Sequence, residues 1–176
     1  MIKNLPFDNE YFNNLSRIIN RTSDEKFNFL TEVISNRKHY PEEMKLAVVT
    51  DVDQSPIEIV NASRNLVEKY SIEDKIFCTL ACYYPKDGFI GWHDNDNFSL
   101  YNAICTYSND GKSFFEYKNE SNETVKIYDN IGWSVKMTKW GGDRPLSHRA
   151  VSNDKRITIT FSSKDKYIIE DLINNF

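Results

Sequence analysis

From about Lys75 the apolar residues stop recurring at helical spacing and begin to alternate, and this change of period constrains the fold more than any other feature of the chain. Eight short runs rich in β-branched and aromatic residues follow: Ile76 to Tyr84, Phe89 to His93, Leu100 to Tyr107, Ser113 to Tyr117, Thr124 to Tyr128, Trp133 to Lys139, His148 to Val151 and Arg156 to Ser162. Turn clusters separate them, among them Pro85-Lys86-Asp87-Gly88, Ser108-Asn109-Asp110-Gly111 and Gly141-Gly142-Asp143. Short strands with regular turns predict a closed β-sandwich of the jelly-roll, or double-stranded β-helix, kind.

The first third is helical in pattern. Asp8 is a candidate cap for a helix with Phe12, Leu15, Ile18 and Ile19 on one stripe, and Thr22 or Ser23 for a second with Phe27, Leu30, Val33 and Ile34. Ser55-Pro56 signals a third, with Ile57, Val60, Leu66 and Val67 inward and its end near Tyr70. The tail from Asp165 to Phe176 fits a closing helix. The expected fold class is therefore mainly β with N-terminal helices (α+β). It is a single domain over 1–176, with a helical flank at 1–74, a jelly-roll barrel at 75–163 and a C-terminal helix at 164–176.

Charge narrows the partners. Lys plus Arg number 22 against 26 Asp plus Glu, a net charge of −4, and no basic stripe is present, which disfavours nucleic acid as the main partner. Cys78, Cys82 and Cys105 are odd in number and embedded in apolar strands, so they read as reduced, buried small hydrophobes. No run approaches the roughly 18 apolar residues of a membrane span, and the first residues lack a secretory apolar core. The expectation is a cytoplasmic protein of undetermined oligomeric state that meets a protein side chain or a small molecule.

Few residues can carry chemistry. His93 ends a predicted strand within Gly91-Trp92-His93-Asp94-Asn95-Asp96-Asn97, and His148 opens another 55 residues later (148 − 93). Arg156 follows in Arg156-Ile157-Thr158-Ile159-Thr160-Phe161, where a period of two puts Arg156, Thr158 and Thr160 on one face. A guanidinium inside a barrel needs an anion, and a small-molecule carboxylate is a natural one. Each residue also has a structural reading. His93 can be an ordinary strand-end histidine, Arg156 an ion-paired residue with Asp94, Asp96 or Asp143 as partner, and Tyr107 and Thr158 plain barrel residues. Trp92, Trp133 and Trp140 read as core or rim aromatics, and His39 as structural or exposed.

The order of a Tyr-Pro turn, a strand ending in His with a short polar residue, a long gap, a second His and an Arg-x-Thr strand resembles the 2-oxoglutarate and iron(II)-dependent dioxygenases. Ala81-Cys82-Tyr83-Tyr84-Pro85 ahead of His93, and Tyr107 at the end of the next strand, are most similar to the prolyl-hydroxylase branch. Ile90-Gly91-Trp92-His93 followed by Asn95 also resembles small oxygenase-like proteins of tailed phages. The resemblance spans Ile76 to Ser162 and implies Fe(II) and 2-oxoglutarate as cofactors. It makes His93 and His148 iron ligands, and sets Arg156, assisted by Thr158 and Tyr107, on the distal carboxylate of 2-oxoglutarate. The family pattern has Asp where this chain has Asn95. An amide oxygen is neutral and a weaker ligand for a hard cation. Three possibilities stay open: Asn95 ligates the metal, Asp96 or Asp94 supplies the carboxylate, or the fold is a metal-free structural or binding module that has lost activity. A metal-binding jelly roll without 2-oxoglutarate dependence is a further alternative. Substrate choice would rest on mouth loops at Asp94 to Ser99, Asn119 to Glu123 and Lys139 to Ser147.

Overall fold

A computed structural model describes residues 2–32, 43–95, 100–141 and 145–176. The chain forms β1 (Asn4–Pro6), α1 (Glu10–Arg21), a 3₁₀ turn at Asp24–Lys26, β2 (Leu30–Glu32), β3 (Glu43–Val48) and α2 (Ile57–Tyr70). Then come β4 (Phe77–Tyr84), β5 (Phe89–His93), β6 (Leu100–Ser108), β7 (Phe114–Lys118), β8 (Thr124–Tyr128), β9 (Gly132–Trp140), β10 (His148–Val151), β11 (Arg156–Ser163) and α3 (Lys166–Asn174).

Among the described residues the strands make one antiparallel, nearly closed sheet in the order β1-β9-β6-β11-β4-β3-β5-β10-β7-β8, with β2 on β3. Strand β3 is the corner: Ala47 and Val48 pair with β4, whereas Met44 and Lys45 pair with β5. On one side of this corner stand β4, β11, β6 and β9, and on the other β5, β10, β7 and β8. The chain crosses between the two halves at nearly every connection. Each strand must therefore satisfy two environments, and the alternating sequence does so.

Strand β11 shows how. Ile157, Ile159 and Phe161 project to the outer, helix-covered face, where they join Tyr83, Cys105, Trp133 and Val135 in the larger apolar core. Helix α1 contributes Phe12, Leu15 and Ile19 to the same core, α2 contributes Ile59 and Leu66, and α3 contributes Ile169 and Leu172. Phe12 anchors it through edge-on contacts with Phe7 at 5.0 Å and Trp133 at 4.9 Å between ring centres. Arg156, Thr158 and Thr160 take the opposite face, which lines the interior between the two halves. A smaller apolar cluster of Met44, Leu46, Cys82, Tyr84, Ile90 and Ala150 closes that interior near the corner.

All eight expected strands form, with ends shifted by a residue or two, and the third helix and the closing helix form as well. The helical flank differs more. The cap of α1 is Asn9, whose Oδ1 accepts from Tyr11 N at 3.1 Å, while Asp8 accepts from the Asn13 side chain instead. The expected second helix is replaced by one 3₁₀ turn and by β2, because pairing Leu30 with Leu46 of β3 outweighs the helical spacing. Phe27 and Phe29 pack on Tyr83 at 4.5 and 6.0 Å, and Val33, Ile34 and His39 lie outside the described residues. In α2, Pro56 is the cap, Ile59 and Ser63 point inward, and Ile57 is exposed. Strands β1 and β2 have three residues each, too few to show alternation, whereas Glu43-Met44-Lys45-Leu46 of β3 does alternate and lies within the expected helical flank. No helix among the described residues is long and apolar enough to cross a membrane.

The β4–β5 turn brings its backbone against β3. A Cβ on Gly88 would lie 2.7 Å from Pro85 Cδ and 2.8 Å from the Lys45 carbonyl oxygen, so neither backbone nor proline can yield cheaply. Gly88→Ala is expected to lower stability by about 1–3 kcal/mol in urea unfolding. An unchanged midpoint would mean that the turn is not held against β3.

Candidate functional site

Antiparallel pairing of β5 with β10 sets His93 directly across from His148, and the register slips just beyond them, between His148 and Ala150. Such a bulge re-aims side chains at a strand end. The two imidazoles stand 4.2 Å apart between ring centres, tilted by 52°. Each is fixed in the same way: His93 Nδ1 bonds the Gly91 carbonyl and His148 Nδ1 the Leu146 carbonyl, both at 2.7 Å. A carbonyl only accepts, so Nδ1 carries the proton and Nε2 keeps its lone pair in the neutral ring. Burial favours that neutral form. It pulls His148 down to about 3, with the neighbouring His93 adding to the effect, and it lowers His93 as well. Trp140 stacks on His148 at 5.9 Å and 10°, and Phe115 flanks it at 5.5 Å.

Asp94 and Asn95 follow β5 directly, both half-buried. The Asp94 charge reaches both histidines and partly offsets the effect of burial on each. Asp96 and Asp143 lie outside the described residues. Among the described residues, no three His, Cys, Asp or Glu side chains converge as a metal-holding group.

Arg156 is buried, as its strand position requires, and so is Thr158 beside it. Its guanidinium donates from Nη1 to Thr158 Oγ1 at 2.6 Å and from Nε to Asp129 Oδ2 at 2.8 Å, and it stands 5.1 Å from the centre of the Tyr84 ring. The other carboxylate oxygen, Asp129 Oδ1, accepts from Lys136 Nζ at 2.8 Å. The counter-ion of Arg156 among the described residues is therefore Asp129, at the end of β8, and not Asp94 of the three partners expected. Burial opposes the charge on Asp129, yet Arg156 and Lys136 outweigh it and hold the carboxyl below its ordinary value. Burial also pulls Lys136 below the usual lysine range, against the attraction of Asp129.

Tyr107 stands apart. It is in register with Ile157 and Trp133, so it shares their helix-covered face, with its ring 5.5 Å from Trp133. Its hydroxyl accepts from Asn20 Nδ2 of α1 at 2.8 Å. The sheet separates it from Arg156, and an odd-for-even position in the strand is the cause. Tyr84, in register with Arg156, occupies the face expected of Tyr107. Lys136 and Asp129 carry no sequence motif. Lys136 does fall in a polar alternation, Ser134-x-Lys136-x-Thr138, that matches Arg156-x-Thr158-x-Thr160, and this was the available signal.

The sequence matches no known protein family profile and no curated protein. Solved structures are similar in fold. A 2OG-Fe(II) oxygenase family oxidoreductase from Burkholderia pseudomallei aligns over 93% of this chain and 86% of its own, at 14% identity and a TM-score of 0.51. A prolyl hydroxylase from Trichoplax adhaerens, in complex with a hypoxia inducible factor oxygen degradation domain peptide, aligns over 97% and 85% at 17% identity and a TM-score of 0.49. OsALKBH1 aligns over 91% and 96% at 14% identity and 0.45. The Burkholderia likeness establishes a shared fold.

Asp129→Asn would leave two buried cations without their carboxylate and is expected to cost about 3–5 kcal/mol. The carboxyl is depressed below 3.8, so its contribution is complete above that value and is lost as the pH falls through its lower folded value. Urea unfolding across pH should show a steeper acid slope in the wild type than in the variant, which keeps only the share of other depressed carboxylates such as Asp110 and Glu116.

Proposed function

We propose that the chain is a 2-oxoglutarate and iron(II)-dependent dioxygenase-like protein on a double-stranded β-helix, acting on a protein side chain or a small molecule. The observation that carries this reading is the His93–His148 pair, two neutral imidazoles tied by Nδ1 to backbone carbonyls with both Nε2 lone pairs left for a metal. The donor set fits a divalent ion bound by His93 and His148, with Asn95 as third donor by position and Asp94 or Asp96 as alternatives. The interior fits an anion. Arg156, Lys136 and Asp129 sum to one positive charge when ionised, and on the same face Thr106, Ser134, Thr138 and Thr160 carry buried hydroxyls with no hydrogen-bond partner among the described residues.

Bound iron would supply the oxygen activation that oxidises both co-substrate and substrate. The residues themselves do the rest. The Gly91 and Leu146 carbonyls fix each imidazole's tautomer and aim. Trp140 and Phe115 cover His148 and exclude water from it. Arg156, steadied by Thr158, supplies positive potential in the barrel for a carboxylate. The Asn119 to Glu123 turn, tied by Asn119 Oδ1 to the backbone N–H groups of Ser121 and Glu123, lies at the histidine end and suits substrate contact.

A second reading has its own observation. Asp129 already compensates Arg156, and Asn95 brings no charge to a metal, as in a metal-free binding or structural module on the same fold. Anaerobic Fe(II) titration of metal-stripped protein, with and without 2-oxoglutarate, separates the two. The oxygenase-like reading expects a saturable charge-transfer band that disappears in His148→Ala. No binding at millimolar iron would leave the metal-free module.

A further inference from the structure

We infer that the outer edge of β8 is a docking strand for an extended acidic segment of a protein partner, which pairs with it antiparallel, main chain to main chain, at the histidine end of the barrel. The alternation of hydrogen bonds in an antiparallel pair decides which backbone groups of β8 point outward. Asp129 N donates to the Ser113 carbonyl and Asn119 N to the Glu123 carbonyl, so both of these pairs are of the hydrogen-bonded kind. Counting by twos along the register, Val125 and Ile127 turn their main-chain groups toward β7, and Thr124, Lys126 and Tyr128 turn theirs away. Of these outward groups only the Tyr128 carbonyl has a partner among the described residues, the Asn4 side chain at 3.2 Å, and that bond lies on the side the count assigns.

The edge is open at the end that matters. Strand β1 backs β9 only over Ser134 to Lys136, and from Met137 to Trp140 β9 pairs with β6 alone among the described residues. Thr124 is in register with Lys118, next to Tyr117, the partner of His148, so the Thr124 end is where the histidines stand. The pairing of β8 with β7 has no bulge, and Thr124, Lys126 and Tyr128 are exposed. Natural edges are commonly defended by a lysine or a bulge. Here Lys126 leans back over the sheet: its Nζ bonds Glu116 Oε1 at 3.0 Å and stands 4.0 Å from the centre of the Phe114 ring, both on β7. It lends charge to the edge without blocking it.

Charge names the partner. On the outer face of β10, β7 and β8, three cations, Arg149, Lys118 and Lys126, accompany one carboxylate, Glu116, in a chain whose total is −4. Glu120 and Glu123 lie in the turn past the end of the strand, and Lys3 and Lys139 stand across the seam, ahead of β1 and near the end of β9. A second copy pairing edge to edge is disfavoured. In the register of fullest overlap it sets Lys126 opposite its own equivalent, and like charges directly opposite are destabilising. A segment with carboxylates at every second position meets Lys126 instead, and its other side chains continue the inner row of Val125 and Ile127. Main-chain pairing then supplies affinity and charge selects the sequence. The inference rests on the oxygenase-like reading only where it makes the docked protein the substrate, since docking itself needs no metal.

Fluorescence anisotropy of the metal-free, full-length chain tests it, with a labelled peptide of about eight residues that alternates Glu with Val. Two controls accompany it, one with Lys in place of Glu and one N-methylated at each Glu, because a residue opposite Lys126 belongs to a hydrogen-bonded pair. The Glu peptide should saturate below about 1 mM, and both controls should bind at least about tenfold more weakly. Lys126→Glu should weaken the Glu peptide by about tenfold and favour the Lys peptide. Thr124→Pro should also weaken it while leaving the fold intact, since proline is tolerated at the first residue of an edge strand with its N–H side outward. Equal binding of the Glu peptide and its N-methylated form, no saturation at about 1 mM, or a wild-type dimer in sedimentation that Thr124→Pro dissociates would each overturn the inference. Peptide docking by protein that takes up no Fe(II) would uphold the edge and sink the oxygenase-like reading. Uptake of Fe(II) and 2-oxoglutarate without peptide docking would do the reverse.

Discussion

A carboxylate held between two cations, out of reach of water, governs the interior of this barrel. Asp129 bridges Arg156 of β11 and Lys136 of β9, and it enters from the far half of the sheet at the end of β8. Removing two cations and an anion from water is expensive, and the geometry repays it only where both carboxylate oxygens are used at hydrogen-bond distance, as they are here. The arrangement ties the two halves together by charge where the small apolar cluster of Met44, Leu46 and Tyr84 does not reach. It also changes what Arg156 can do. A guanidinium with its own carboxylate contributes potential more than contact.

Much of the fold could be read directly because the strands obey a strict alternation. In Arg156-Ile157-Thr158-Ile159-Thr160-Phe161 every second side chain is apolar, and the helix-covered core takes all three of those. The family resemblance, and not the alternation, sets Tyr107 beside the expected carboxylate pocket; parity with Ile157 sends it through to the helices, and Tyr84 stands on the interior side instead. In the flank, Phe27 and Leu30 suit a helical stripe. The segment is too short to profit from helix propensity against the pairing offered by β3, which lies beyond it in the chain.

The histidines were legible as strand ends, and the antiparallel pairing of β5 with β10 brings them face to face. Their backbone tethers at Gly91 and Leu146 are local, each two residues before the ring they hold, so the sequence contains them without advertising them. Asp129 and Lys136 are of another kind. Both belong to a non-local network whose members are 27 and 7 residues from Asp129 along the chain, and only closure of the barrel makes them neighbours. Charged residues inside strands are the available clue, since a lysine in a polar stripe of an otherwise buried strand has few ordinary explanations.

Strand β3, which pairs with β4 through one end and β5 through the other, works as a spine: both halves are clamped to it by backbone ladders. At the opposite seam β1 and β8 are the two ends of the sheet, joined by a side-chain bond from Asn4 Nδ2 to the Tyr128 carbonyl at 3.2 Å. The barrel is therefore bound like a book along β3 by main-chain ladders, while its fore-edge is latched by side chains, the Asn4 bond and the buried carboxylate of Asp129 that follows β8.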